Sequence, residues 1–332
     1  MKSFTHILSL SFFLLLVSPH IAADGSNAVN PEVEYIVANA PVVPVREEPL
    51  HSAEQATQLL FGEVCERIER RSGWSKIRST VDGQEGWITS RMLTPTSDLS
   101  SLSAQPFAVV TTPMAAAYPA DGGAPLLLTL GTRLPNYSND TCEVGGKKYF
   151  IDHRVVNVFN PQDPSAQSIW GPRELRERVG RAEASSAQCR EATVNARDCR
   201  TRSDLIRIAH SLLNTPYLWG GKNVMGLDCS GFTQVVYAAI GVNLLRNARE
   251  QITQGEEVSS LEESLPGDLV FFDHSDRDPE ATRISHVGIL LSPTEVIHCA
   301  GSGVHIDRID ANGIYLPDGT MTHHLVKIKR YL

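Results

Sequence analysis

The sequence predicts two small all-β barrels followed by a domain that mixes helices with antiparallel strands. Three observations carry that reading. The chain of 332 residues is long enough for two or three domains. Its N-terminal half consists of short apolar segments broken by Gly, Pro and Asp-Gly, a pattern of many short strands. Beyond about residue 200 the apolar residues recur at helical spacing and then give way to strand-like runs.

The bulk properties agree with a globular chain. Hydrophobic residues make up 42% and charged residues 20%, enough to build cores. The net charge of −8 gives no support for nucleic-acid or anionic-membrane binding, and it suits a ligand with a cationic group.

The first element is a leader. Lys2, the apolar run "ILSLSFFLLLV", Pro19 and "HIAAD" have the order of a secretory signal peptide, residues 1–23, with the cut after Ala23. The run is shorter than the ~20 residues that span a bilayer. No cysteine lies near the cut for lipid attachment. The mature chain is therefore expected to be exported, to a periplasm or the medium, without a membrane anchor.

Residues 32–97 give the first barrel. "EYIVANAPVVPVREEP", "TQLLFGEVCERIER" and "SGWSKIRSTVDGQEGWITSRML" read as strands separated by Pro, Gly62 and an Asp-Gly turn. The polar stretch "TPTSDLSSLSAQP" is a linker. Residues 104–160 repeat the spacing, with Gly131 in the place of Gly62, and are read as a divergent second barrel. Residues 161–200 are polar and partly helical; Arg173, Arg176, Arg178 and Arg181 there read as a solvated helix face. Ser203 is placed as the N-cap of "DLIRIAHSLLN", which stops at Thr215–Pro216. Residues 201–332 form the last domain.

Its most informative stretch is "TPYLWGGKNVMGLDCSGFTQVVYAAIG". Glycines and a loop lead to Cys229, and "FTQVVYAAIG" then runs at helical spacing to Gly241, so the cysteine opens a helix. The free N–H groups and dipole there favour an anion, which predicts a lowered thiol pKa and a nucleophile. A thiolate needs an imidazole partner. His286 opens the strand-like "HVGILLS" and His298 lies in "EVIHCAGSGVHI", with the turn "SPTE" making an antiparallel hairpin. His286 is placed as the base and His298 as the group that orients it.

The cysteines are Cys65, Cys142, Cys189, Cys199, Cys229 and Cys299. Three bridges are one reading in an exported protein. With Cys229 free, at most two remain, and Cys189 and Cys199, flanking one linker, are the pair to expect. No pair has C-x-x-C spacing, so neither a metal nor another cofactor is expected.

"TPYLWGG…LDCSGF", "LPGDLVFF", "HVGILL" and "VIHCAGSGVHID" resemble, in order and spacing, the NlpC-type cell-wall endopeptidases, which are papain-like cysteine peptidases. The resemblance covers about Thr201 to Leu332. It implies Cys229, His286 and His298 as the catalytic set, in an α+β papain-like domain whose antiparallel sheet packs on the nucleophile's helix. "GWSKIRS…GQEGWITSRML", with Trp74 and Trp87, resembles a bacterial SH3-like domain. Two such barrels ahead of the peptidase resemble the γ-D-glutamyl-L-diamino acid endopeptidases. That subgroup implies a murein-peptide partner, cut between γ-linked D-Glu and diaminopimelate or lysine, with a free N-terminal L-Ala. Its ammonium calls for carboxylates, and the resemblance offers Asp228 and, from the first barrel, Glu85. It also implies Tyr217 at the oxyanion site, Ser230 beside the leaving bond, Tyr118 as an aromatic wall and Arg246 as a basic residue of the site. The charged loop Asp273 to Ile284 is placed to fold over the site, and His274 within it is not expected to be catalytic. Acyl transfer, an amidase that cuts sugar from peptide, or an inactive cell-wall-binding module are the competing readings.

Overall fold

Strict alternation in Trp74–Ser79, where Ser75, Ile77 and Ser79 are buried and the residues between them are not, is the signature of a strand with one face on a core. Most of the N-terminal half follows that rule. The computed structural model describes residues 33–96, 105–160, 196–273 and 283–332. The predicted leader, the Arg173–Arg181 cluster, Cys189 and His274 lie outside the described residues.

The first barrel contains β1 (Tyr35–Ala38), β2 (Val42–Arg46), β3 (Gln55–Leu60), β4 (Val64–Arg71), β5 (Trp74–Ser79), β6 (Glu85–Thr89) and β7 (Leu93–Pro95). They form one antiparallel sheet in the order β3-β2-β6-β5-β4-β1-β7. Next come β8 (Phe107–Val110), β9 (Met114–Pro119), β10 (Leu126–Thr129), β11 (Arg133–Leu134), β12 (Thr141–Val144), β13 (Lys147–Phe150) and β14 (Val156–Phe159). This second unit repeats most of the pairing of the first, but β11 and β12, the counterparts of β4 and β5, are not paired, so its strands form two sheets, β10-β9-β13-β12 and β11-β8-β14. β8 pairs with β11 and β14 as β1 pairs with β4 and β7. β9 pairs with β10 and β13 as β2 pairs with β3 and β6. Gly62 and Gly131 occupy equivalent turns with φ of 82°. The two units share a core in which Phe61 and Val64 of the first meet Ala117, Leu128 and Tyr149 of the second. The Phe61 and Tyr149 rings meet edge-on at 5.2 Å. Burying a side chain such as Phe61 stabilises by about 1.5–3 kcal/mol.

The C-terminal domain has α1 (Ala196–His210), a ribbon of β15 (Lys222–Asn223) and β16 (Gly226–Leu227), α2 (Cys229–Ala239) and the short α3 (Ala248–Gln251). Then come β17 (Glu256–Val258), β18 (Leu269–Asp273), β19 (Ile284–Ser292), β20 (Glu295–Ala300), β21 (Gly303–Asp310), β22 (Gly313–Tyr315) and β23 (Met321–Arg330). The sheet order is β17-β23-β18-β19-β20-β21-β22, and β22 also pairs with β23. Alternation assigns the two faces. Leu269 and Phe271 join Val287, Ile289 and Ile297 against Phe232 and Val236 of α2. Val270 and Phe272 join Leu290, Ile309 and Ile328 on the other face.

The helix start predicted at Ser203 is corrected. The helix runs through Ser203 from Ala196. Arg202, one residue earlier, is locked by donating to the Pro266 carbonyl (3.0 Å), Asp268 Oδ1 (3.3 Å) and the Leu332 carbonyl (2.8 Å). That anchoring keeps the preceding turn helical, where local N-cap chemistry would have ended it.

The first barrel is fastened to this domain by buried polar groups. Lys222 Nζ lies 2.8 and 3.0 Å from the Glu63 carboxylate, with side-chain exposures of 5% and 3%. Gln58 Oε1 accepts from the Lys222 N–H and from Asn223 Nδ2, both at 2.8 Å. Gln234 of α2 donates to Asp82 at 3.0 Å. Among the described residues no helix is long and apolar enough to cross a membrane.

Candidate active site

The loop before α2 places Cys229. Asp228 is in extended conformation at the N-cap, and its Oδ1 accepts the Gly231 N–H at 2.6 Å, using one of the free donors of the helix start. Its Oδ2 accepts the Gly220 N–H at 3.0 Å. A Cβ on Gly231 would lie 2.1 Å from the Gly221 carbonyl oxygen, so only glycine lets the loop close on the helix. The first turn therefore holds Cys229 half-buried at the floor of a cleft of about 850 Å³.

The cleft is lined by Tyr217, Trp219, Asp228, Cys229, Ser230 and His286 from this domain, together with Asp273, Arg283 and His323. The first barrel adds Glu47, Glu54 and Gln84. Tyr217 stays a protonated donor, because burial and the nearby Cys229 push its hydroxyl up to about 12.

The expectation of a lowered Cys229 pKa is corrected. Burial, then the Asp228 charge, push the thiol up to about 12; Arg246 and the N–H groups of Val287 and Ser230 offset this only in part. Desolvation of the anion outweighs the helix terminus. The proton therefore needs an acceptor, and His286, next in the chain to the Val287 N–H that reaches the sulfur, lines the same cleft.

His286 Nε2 and His298 Nδ1 are 2.7 Å apart, and His298 Nε2 lies 3.2 Å from Asp307 Oδ2. The strands explain the row. His298 faces Gly288 across β19–β20, where a Cβ would approach the His298 Cβ to 3.1 Å. Across β20–β21, His298 faces His305 and Val296 faces Asp307, so Asp307 is the diagonal neighbour of His298 on one face. Burial is the largest influence on His298 and holds it below its ordinary value, despite the Asp307 bond. Burial works against the Asp307 carboxylate, yet its hydrogen bonds with His298 and His305 hold it below the usual range.

These states assign the tautomers. Ionised Asp307 only accepts, so neutral His298 carries its proton on Nε2 and accepts at Nδ1. His286 therefore donates from Nε2, which makes Nδ1 the acceptor nitrogen of that ring. Asp307 was missed in the sequence, although "GVHIDRID" paired against "EVIHCA" puts it on the face of His298.

The remaining predicted residues separate. Tyr217, Asp228 and Ser230 line the cleft with Cys229 and His286. Asp228 is already committed, with Arg246 Nη1 at 3.0 Å and Nη2 at 2.5 Å besides its N–H bonds. Ser230 Oγ accepts from Arg246 at 2.9 Å. Arg246 is corrected from a substrate contact to an internal tie: it is 1% exposed and donates to Thr57 of the first barrel at 2.6 Å. Glu85 does not line the cleft. It bonds Arg78 at 2.6 Å and Lys76 at 3.2 Å, because Gln84, one residue earlier, faces the site and bonds Glu250 there at 3.1 and 3.2 Å. Tyr118 is also corrected: it is 55% exposed on β9, away from the cleft residues. Among the described cysteines Cys65, Cys142, Cys229 and Cys299 are free thiols; the Cys189–Cys199 pairing lies outside the described residues.

A cysteine at a helix start, an imidazole and an orienting row, in this sheet order, decide the family. Residues 214–330 match the NlpC/P60 family, and residues 45–93 match the bacterial dipeptidyl-peptidase SH3 domain. The C-terminal domain is an NlpC/P60 cysteine peptidase domain. It is similar to a γ-D-glutamyl-L-lysine dipeptidyl-peptidase of Bacillus cereus, 28% identical over 77% of this chain and 70% of that protein. A Bacillus subtilis protein of the same description is 26% identical over 76% of this chain and 74% of its own length. The probable endopeptidase p60 of Listeria grayi is 36% identical over 33% of this chain and 20% of that protein. A solved NlpC/P60 family protein from Bacillus cereus superposes with a TM-score of 0.66 at 19% identity, covering 90% of this chain and 99% of that one; the likeness is one of fold. The NlpC/P60 domain is thus a hydrolase of a peptidoglycan-cleaving family, preceded by an SH3 domain.

Proposed function

We propose that this NlpC/P60 protein is an exported cysteine peptidase that hydrolyses the γ-D-glutamyl–diaminopimelate (or –lysine) bond of murein peptides with a free N-terminal L-Ala, releasing L-Ala-D-Glu. The observation that carries the reading is the meeting of two domains in one cleft. Glu47 and Glu54 of the first barrel line the same space as Cys229 and Tyr217. An ammonium at a substrate N-terminus needs carboxylates that are not already neutralised. The curated Bacillus relatives, described as dipeptidyl-peptidases, support a cut two residues from a free amine.

His286 takes the Cys229 proton as the sulfur attacks the γ-carbonyl, and Tyr217 is placed to donate to the developing oxyanion. The imidazolium then returns the proton to the leaving amine, and water completes hydrolysis. The second unit reads as another SH3-like module, because it repeats the strand order of the first with a single pairing, that of β4 with β5, left out. The leader supports export. Incubation with L-Ala-γ-D-Glu-diaminopimelate and with its N-acetylated form, read by mass, tests the proposal. Release of the dipeptide from the free-amine form alone is expected; equal cleavage of both would overturn the amine requirement.

A further inference from the structure

His298, Asp307 and a third residue, His305, bring three ligand atoms within 4.8 Å of one another on the β20–β21 face. His298 Nε2 and His305 Nε2 lie 3.2 and 3.3 Å from Asp307 Oδ2. A tetrahedral zinc ion with ligand bonds of about 2.0–2.1 Å has ligand–ligand edges of about 3.3 Å. Two of the three edges therefore already have the length that zinc requires. The third is set by the His305 ring, which is 29% exposed and is the side from which an ion reaches the cluster.

The orientation of His305 supplies a second observation. Its Nδ1 lies 2.8 Å from the Gly303 carbonyl oxygen, which only accepts, so Nδ1 carries a proton. Orientation of an imidazole by a carbonyl on its far nitrogen is the usual support for a metal-ligating histidine. Nε2 is thereby turned toward the Asp307 carboxylate, 3.3 Å away, as the third donor of the cluster.

We propose that His298, His305 and Asp307 form an inhibitory site for a divalent transition-metal ion of the zinc class. The ion acts through tautomers, with no contact to Cys229. Metal on His298 Nε2 moves the proton of that ring to Nδ1, which then donates to His286 Nε2. The His286 proton moves to Nδ1, the atom that has to receive the Cys229 proton. Each neutral ring keeps one proton throughout, so the base is blocked without net proton uptake or release. Imidazole and carboxylate ligands suit zinc and its neighbours better than calcium or magnesium.

The full chain carrying Cys229→Ala is titrated with Zn²⁺ by calorimetry and with Co²⁺ by visible spectroscopy. One ion per chain is expected, with cobalt ligand-field bands and no thiolate charge-transfer band in the wild type. Absence of binding to Cys229→Ala, or a thiolate band in the wild type, would place the metal on the nucleophile and overturn the proposal. Hydrolysis by the wild type should fall with Zn²⁺ and return with a chelator. His305→Gln, normalised to its own metal-free rate and with unfolding checked by circular dichroism, should need at least about tenfold more Zn²⁺ for the same loss. Equal sensitivity of His305→Gln and wild type would overturn it. The cobalt spectrum reads the site whatever the substrate, so failure of the murein-peptide proposal leaves this test intact.

Discussion

Asp307→Asn tests the tautomer row that reaches Cys229. The side chains are isosteric, so packing around the buried His298 is retained. Asp307 only accepts at the 3.2 Å contact with His298 Nε2, whereas an asparagine amide also presents N–H donors. A hydrogen bond to a charged group contributes about 1.5–3 kcal/mol, and the variant loses that preference while allowing the opposite tautomer. The swing is about 3 kcal/mol. It corresponds to a loss of about 10²-fold in kcat/KM, carried by kcat, since Asp307 lines no part of the cleft. The assay is hydrolysis of L-Ala-γ-D-Glu-diaminopimelate across pH, with ¹⁵N-histidine NMR to read which ring nitrogen is protonated. A rate within threefold of wild type, or an unchanged His298 tautomer with a lost rate, would refute the row as the means of orienting His286.

Cys229→Ala should abolish hydrolysis with folding unchanged; activity above about a hundredth of wild type would remove the cysteine from the mechanism. Because the isolated thiol is pushed up to about 12, it is neutral below that pH unless an imidazole takes its proton. His286→Ala should therefore slow iodoacetamide labelling of Cys229 at pH 7 by tenfold or more and restore it only as pH rises, as peptide mapping will show. Glu85→Gln should leave KM for the free-amine tripeptide within about twofold, whereas Glu54→Gln or Glu47→Gln should raise it and spare the N-acetylated form. Glu63→Ala strands the Lys222 ammonium at 5% exposure and should cost about 3–5 kcal/mol in urea unfolding; a loss below 1 kcal/mol would mean the barrel contact is loose.

The peptidase motif was legible because its parts are local. A glycine-rich approach, an N-cap, a cysteine and a helix face lie within one stretch, and the histidines follow in consecutive strands. Residues that arrive through pairing were not legible in the same way. Asp307 becomes a partner of His298 only through the β20–β21 register, which motif order alone does not state. Glu85 illustrates parity: in an extended segment, a shift of one residue exchanges the cleft for the outer face, and Gln84 has the inward place. Arg246 carries a charge that suggests a ligand, but its burial turns it toward Asp228 and Thr57. The Cys229 pKa failed for another reason. A helix terminus is visible in sequence, whereas desolvation depends on what packs around the sulfur.

The contacts of Arg246 also bear on why a barrel and a peptidase share this chain. Thr57 of the first barrel accepts from Arg246 Nε, while the two terminal nitrogens hold both oxygens of Asp228. Asp228 in turn holds the N–H groups of Gly220 and Gly231 on either side of Cys229. The barrel is therefore one connection away from the residue that caps the nucleophile's helix. Removing it would leave Arg246, Lys222 and Gln234 with buried polar groups short of partners, each a costly state. The cleft wall and the position of Cys229 thus depend on the same interface. A substrate amine held by the barrel carboxylates would then be registered against the sulfur by a rigid support, and loss of the barrel would lower kcat as well as raise KM.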